Sequence, residues 1–178
     1  MQTVRLHDRS FSQYLSEEEI TNRVEAISVQ IYKDYTDLQP HFLVMLNGAF
    51  MFASELYRRY GGDAEISFVK AKSYQGLKST GKVEFDPVDS ELVKGKDILL
   101  IEDIVDSGNT LSNFIPLLKQ HQPKSIRIAS LLFKPASLKH DVKVDYCGFE
   151  IPNDFVVGYG LDYDGLGRNL PAIYSLAE

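Results

Sequence analysis

Short runs of consecutive apolar residues recur along the chain, and after several of them the apolar positions fall into a three-to-four residue spacing. His41–Leu46 (HFLVML), the run ILLI at 98–101 and Ser125–Phe133 (SIRIASLLF) show no strict polar alternation. That is the pattern of strands buried on both faces of a parallel sheet. Residues 65–72, with Ile66, Phe68 and Val69 as their apolar members, read as another strand, and 142–149 (VKVDYCGF) as an alternating strand with one wetter face. Between these runs the rhythm becomes helical. Ile20, Val24, Ile27 and Ile31 predict a helix to about Tyr35, opened by a capping box of Ser16 and Glu19. Phe52, Leu56 and Tyr60 predict a second helix, stopped at Gly61-Gly62. Leu111, Phe114, Ile115 and Leu118 predict a third, bent by the Pro116 inside it. Strands alternating with helices give an α/β fold, a mainly parallel twisted sheet flanked by helices. Ligands in such folds collect at the C-terminal ends of the strands.

The richest stretch is 96–110, KDILLIEDIVDSGNT. The buried run at its start leads to Glu102 and Asp103, two adjacent carboxylates placed where the strand is expected to end. Asp106, Ser107, Gly108, Asn109 and Thr110 then form a tight turn into the third helix. Backbone N–H groups of a strand-to-helix turn make an anion site. Gly108 allows the positive φ that wraps such a turn closely around a phosphate, and the hydroxyls of Ser107 and Thr110 add donors. Paired carboxylates accept from neighbouring sugar hydroxyls or hold a divalent cation. They also suit a helix N-terminus for purely structural reasons; the whole stretch together favours a phosphorylated sugar with Mg²⁺.

Composition narrows the class. At 178 residues with 44% apolar and 25% charged positions, the chain suits a single globular domain, 1–178. No run approaches the roughly 20 apolar residues that cross a bilayer, the first residues are too polar for a signal peptide, and one cysteine excludes an internal disulfide. A cytoplasmic protein with no membrane partner is expected. The net charge of −6 argues against a broad nucleic-acid surface. Cys147, among apolar neighbours, reads as a buried thiol, and the four histidines show no zinc spacing.

The segment EDIVDSGNT closely resembles the phosphoribosyl pyrophosphate (PRPP) signature of type I phosphoribosyltransferases, and the chain from about residue 42 onward resembles the hypoxanthine-guanine branch of that family. The resemblance implies the fold of that family, with a small hood built by the C-terminal segment, about 149–178, and open to N-terminal residues. It implies Mg²⁺-dependent transfer of the phosphoribosyl group to N9 of a 6-oxopurine, giving IMP or GMP and pyrophosphate. Glu102 and Asp103 are implied on the ribose and metal, 106–110 on the 5′-phosphate, and Asp106 at N7 of the base, as general base or as stabiliser of its proton. LNGAFMF matches the pyrophosphate loop, Leu46, Asn47 and Gly48, with Asn47 where relatives usually carry Lys or Arg and the Leu46-Asn47 bond a candidate cis peptide. KSYQGLKSTG matches a closing loop, 73–82, with Ser73 and Tyr74 as catalytic closing residues. In LLFKP, Lys134 matches the donor to the exocyclic oxygen of the base; an ammonium donates and cannot accept, so it selects an oxopurine over adenine. In the last segment Phe155 matches a stacking aromatic, Val156 a backbone contact to the base and Leu161 its border. Asp162 matches a metal-binding carboxylate near the base, and Arg168 a pyrophosphate contact. A homodimer or homotetramer is implied as well. The alternatives are a regulator that keeps the fold but senses nucleotides, and a xanthine-preferring enzyme.

Overall fold

The computed structural model describes residues 2–73 and 83–177. The chain opens with a hairpin, β1 (Thr3–Leu6) and β2 (Arg9–Leu15), and continues into α1 (Glu17–Asp34). The capping box is formed: Ser16 Oγ accepts from Glu19 N, and Glu19 Oε2 accepts from Ser16 N at 2.8 Å. Then follow β3 (His41–Leu46), α2 (Phe50–Arg59), β4 (Glu65–Ser73), β5 (Val83–Phe85), β6 (Asp97–Val105), α3 (Asn109–Gln120) and β7 (Ser125–Phe133). The chain closes with β8 (Tyr146–Glu150), β9 (Val156–Val157) and β10 (Ile173–Leu176).

Six strands form one sheet in the order β5-β4-β3-β6-β7-β8, parallel throughout except for the antiparallel β4–β5 edge. Its two faces have separate cores. Leu99 and Ile101 of β6 pack with Phe42, Val44, Ile20, Ile27 and Leu56 under α1 and α2. Ile98 and Leu100 pack with Leu43, Phe114 and Leu118 under α3. The unbroken apolar run is thus buried on both sides, the reason no alternation was needed. Pro116 lies within α3, and its missing N–H leaves the carbonyl four residues back without that helical donor.

Three elements differ from the sequence reading. β6 does not end before the carboxylates; it runs on to Val105, because Glu102 and Ile104 keep their register with Ser130 and Leu132 of β7. β8 begins at Tyr146, so 142–145 is connection and only its second half pairs. The β1–β2 hairpin was not anticipated as strands. Its alternation, Val4 and Leu6 against Phe11 and Leu15, was visible, yet a two-stranded hairpin is marginal alone. It becomes stable by pairing in a second sheet, β1-β2-β10-β9, over a core of Phe11, Val157, Ala172 and Tyr174. The hood therefore takes strands from both ends of the chain. Tyr163 Oη donating to Asp8 at 2.9 Å pins the hairpin tip to the C-terminal segment.

Candidate active site

Parallel β3, β6 and β7 deliver their C-terminal ends to one edge of the sheet, and there the chemistry gathers. The end of β6, the loop after it and the start of α3 line a hollow of about 250 Å³, from Glu102 to Leu111. Gly108 caps α3 with φ 78°, the left-handed region, and no side chain caps the helix. The Thr110 and Leu111 N–H groups of its first turn thus have no partner among the described residues and stay available to an anion. Ser107 Oγ accepts from Asn109 N at 3.3 Å, while Ser107 O accepts from Lys139 N at 3.0 Å, holding the turn from both sides. Asn109 and Thr110 open the helix and line the same hollow.

Glu102 is only 7% exposed. Its Oε1 accepts from Asp103 N at 3.3 Å, but its buried Oε2 has no partner among the described residues. Burial first, and the Asp103 carboxylate second, push Glu102 well above the usual carboxylate range. Burial also pushes Asp103 up, although Ile104 N donates to its Oδ1 at 2.8 Å. Two carboxylates raised in this way await something that compensates their charge, whether a cation or hydroxyl donors. An orphaned buried oxygen beside a second carboxylate is an all-oxygen donor set of the kind Mg²⁺ takes.

The loop after β3 reaches the same place. The Leu46-Asn47 peptide bond is cis, as the resemblance implied. A Cβ built on Gly48 would stand 1.5 Å from Asp103 Oδ2, so only glycine lets this loop touch the carboxylate. Gly48→Ala should leave the fold intact but cut turnover at least about tenfold by displacing Asp103, an ångström-scale shift of a positioned group costing that much or more. Steady-state rates alongside circular dichroism check this; native turnover in a folded variant would show that the approach is unimportant.

Lys134, just past β7, is 7% exposed rather than solvated. Its Nζ donates to Asp106 Oδ2 at 2.9 Å, and its N–H donates to Val105 O at 2.9 Å. Two residues identified separately in the sequence are therefore one ion pair at the rim of the 106–110 turn. The hood arrives through Gly160 and Arg168. Arg168 bonds Asp162 Oδ1 at 2.6 Å and donates to Gly160 O at 2.6 Å. Gly160 in turn sits so close that a Cβ on it would lie 2.0 Å from Gly48 O.

Not every expected site residue joins this group. Asp162 accepts from Arg168 and from Gly165 N at 2.7 Å, and the Arg168 guanidinium also acts on the Asp103 carboxyl, favouring its charged form. No set of three or more potential ligands converges among the described residues. Phe155 is 48% exposed, edge-on to Tyr163 with ring centroids 5.9 Å apart. It lines a separate hollow of about 200 Å³ with Arg9, Phe11 and Leu176. Val156 and Leu161 are buried, Val156 paired with Ser175 of β10. Ser73 ends β4, on the same sheet edge; Tyr74 lies outside the described residues, as does most of the 73–82 loop. Ile104, which lines the central hollow, and Gly160 were passed over in the sequence. Ile104 offered a signal, an apolar residue set between carboxylates at a strand end; Gly160 offered none, since its role is to fit against a distant loop. Burial pushes the half-buried Cys147 thiol up, in keeping with an inert side chain. No helix among the described residues is long and apolar enough to cross a membrane.

An open helix start, a buried acidic pair and a lysine–aspartate pair, all on the C-terminal edge of a parallel sheet, are the features that suit a phosphorylated sugar. A family model, the phosphoribosyl transferase domain, matches residues 10–164. The hypoxanthine-guanine phosphoribosyltransferase of Bacillus subtilis is 42% identical over 160 residues, 89% of each chain. The hypoxanthine phosphoribosyltransferase of Salmonella typhimurium is 40% identical over 162 residues, 89% of this chain and 91% of its own. Among solved structures, a Staphylococcus aureus hypoxanthine phosphoribosyltransferase superposes with a TM-score of 0.87 at 39% identity, covering 93% of this chain and 91% of that one. The chain belongs to the phosphoribosyltransferase family, and these relatives are hypoxanthine and hypoxanthine-guanine members of it.

Proposed function

We propose that this chain is a purine salvage enzyme that transfers the phosphoribosyl group of PRPP to N9 of hypoxanthine or guanine, releasing pyrophosphate. The Lys134–Asp106 pair beside the phosphate cradle carries the reading most directly. The 5′-phosphate occupies the backbone of 106–110, and Glu102 and Asp103 accept from the ribose hydroxyls. Pyrophosphate lies along Leu46, Asn47 and Gly48, with Arg168 supplying the cation that Asn47 lacks. Held by Gly160 O, Arg168 is aimed rather than free, and Asp162 acts here as its positioning partner as well as a neighbour of the base. The acidic pair fits Mg²⁺, which when bound would offset the charge of the leaving pyrophosphate.

The nucleophile is N9, which bonds to C1′ as the bond from C1′ to the pyrophosphate oxygen breaks. The proton at N7 passes to, or is held by, Asp106. Lys134 gives the base oxygen a donor and keeps Asp106 oriented through the 2.9 Å contact. Val156 and Leu161 border the base, Phe155 covers it when the hood closes, and Ser73 and Tyr74 close over pyrophosphate. The chain works as one domain in the cytoplasm and self-associates as a dimer or tetramer. Exposed Phe50 on α2 and Phe68 on β4, 42% and 56% accessible, are apolar side chains that an interface would cover.

Pyrophosphate release, measured with PRPP, Mg²⁺ and each of hypoxanthine, guanine, xanthine and adenine, tests the assignment. Turnover with oxopurines and none with adenine is the expected result; no turnover with any base would overturn it in favour of a nucleotide sensor. Lys134→Ala should raise KM for the base by about tenfold or more, the usual cost of a charge-assisted hydrogen bond. Because Asp106 loses its partner, kcat should fall too, while PRPP affinity stays nearly unchanged. Equal losses for both substrates would assign Lys134 a structural role.

A further inference from the structure

The opposite edge of the sheet carries a second cavity, of about 560 Å³, where β3 and β6 begin. Its walls include Tyr32, Tyr35 and Tyr60, with Asp37, Asp63 and Asp97 between them. Tyr32 and Tyr60 stand edge to face, centroids 6.1 Å apart. Tyr35 is 3% exposed, and its buried hydroxyl has no hydrogen-bond partner among the described residues. Among the described residues the one lining cation, Lys124, is already engaged by Asp97 at 2.8 Å, and the Arg127 guanidinium stands 5.3 Å from the centre of the Tyr35 ring. Asp37 and Asp63 are exposed and have no ion-pair or hydrogen-bond partner among the described residues.

We propose that this cavity binds an aliphatic diamine or polyamine. The Tyr32 and Tyr60 rings beside uncompensated carboxylates attract organic ammonium groups by cation–π and ionic contact together, while the Tyr35 ring already faces Arg127. The two open carboxylates come from different loops, Asp37 between α1 and β3 and Asp63 between α2 and β4, which suits two ammonium groups joined by an apolar chain. Leu38 and Tyr32, 39% and 45% exposed, give that chain apolar surface at the rim. The phenol oxygen of Tyr35 is an acceptor that an ammonium can use. A small hydrated metal ion gains little from ring faces, and an anion meets the wrong charge. Nothing in phosphoribosyl transfer uses this cavity.

Spermidine titrated calorimetrically into the full chain, without PRPP, should bind saturably at one site and weaken as salt is added. Mg²⁺ at the same concentration should not displace it. The double substitution Asp37→Asn with Asp63→Asn should lower the affinity by about tenfold or more, the scale of a lost charge-assisted contact. Tyr35→Phe should lower it by a smaller factor. Both variants should retain native pyrophosphate release, which shows that they fold. Absence of saturable binding overturns the proposal. So does binding that survives the double substitution, and still more if it disappears in Glu102→Gln, because the polyamine would then sit on the acidic pair of the active site.

Discussion

Asp106→Asn should lower kcat by about 10²- to 10⁴-fold, the range expected when a positioned proton acceptor is removed. PRPP affinity should change less than tenfold. In the proposed binding mode the phosphate rests on backbone N–H groups of the 106–110 turn, which an amide side chain leaves in place. The substitution is nearly isosteric, so the loop should keep its shape, but the ion pair with Lys134 becomes a neutral contact. An amide can still accept from Lys134 and cannot take a proton at neutral pH. Single-turnover rates and PRPP titrations separate the two effects. Unchanged turnover would remove Asp106 from proton handling and leave it as a tether for Lys134.

Glu102→Gln should do two opposite things. In the ligand-free protein it should raise stability, because a buried carboxylate with an orphaned oxygen is replaced by a neutral amide. A gain of about 1–2 kcal/mol follows from removing a buried charge beside the Asp103 carboxylate, each unit of raised pKa being worth about 1.4 kcal/mol, or roughly 2–8 °C in Tm for a chain of this size. The pH dependence fixes the sign. Glu102 titrates above its ordinary value in the folded state, so its favourable effect on folding is complete only at low pH and is lost as pH rises through that raised value. The Tm difference should therefore be largest at pH 8 and shrink towards about pH 4, near the ordinary carboxylate range. PRPP binding should weaken by tenfold or more, since the proposed carboxylate contact to the ribose would be gone. A variant with lower Tm across this range would show that Glu102 is already compensated in the free protein. This is the pattern of a site that gives up stability to keep charge ready for a ligand.

Much of this was legible in the sequence because it is local. Unbroken runs such as 98–101 determine burial on both faces, and Ser16 with Glu19 determines a helix start. The 96–110 stretch carries its anion turn within a few residues. Lys134 and Asp106 were each marked by position at a strand end and by family resemblance. Their contact was not legible, because 28 residues separate them and only the parallel pairing of β6 with β7 brings them to 2.9 Å.

The sequence by itself determined the alternation of strands and helices, the Gly108 turn into α3 and the acidic pair, since periodicity, turn chemistry and capping act over a few residues. The tertiary structure decided what depends on long-range packing. It drew the N-terminal hairpin into the hood, where β2 could pair with β10. It buried Glu102 and Lys134, and turned Asp162 towards Arg168. It pressed Gly48 against Asp103 and Gly160 against Gly48, contacts in which the missing side chain is the whole signal and only the distant neighbour explains it.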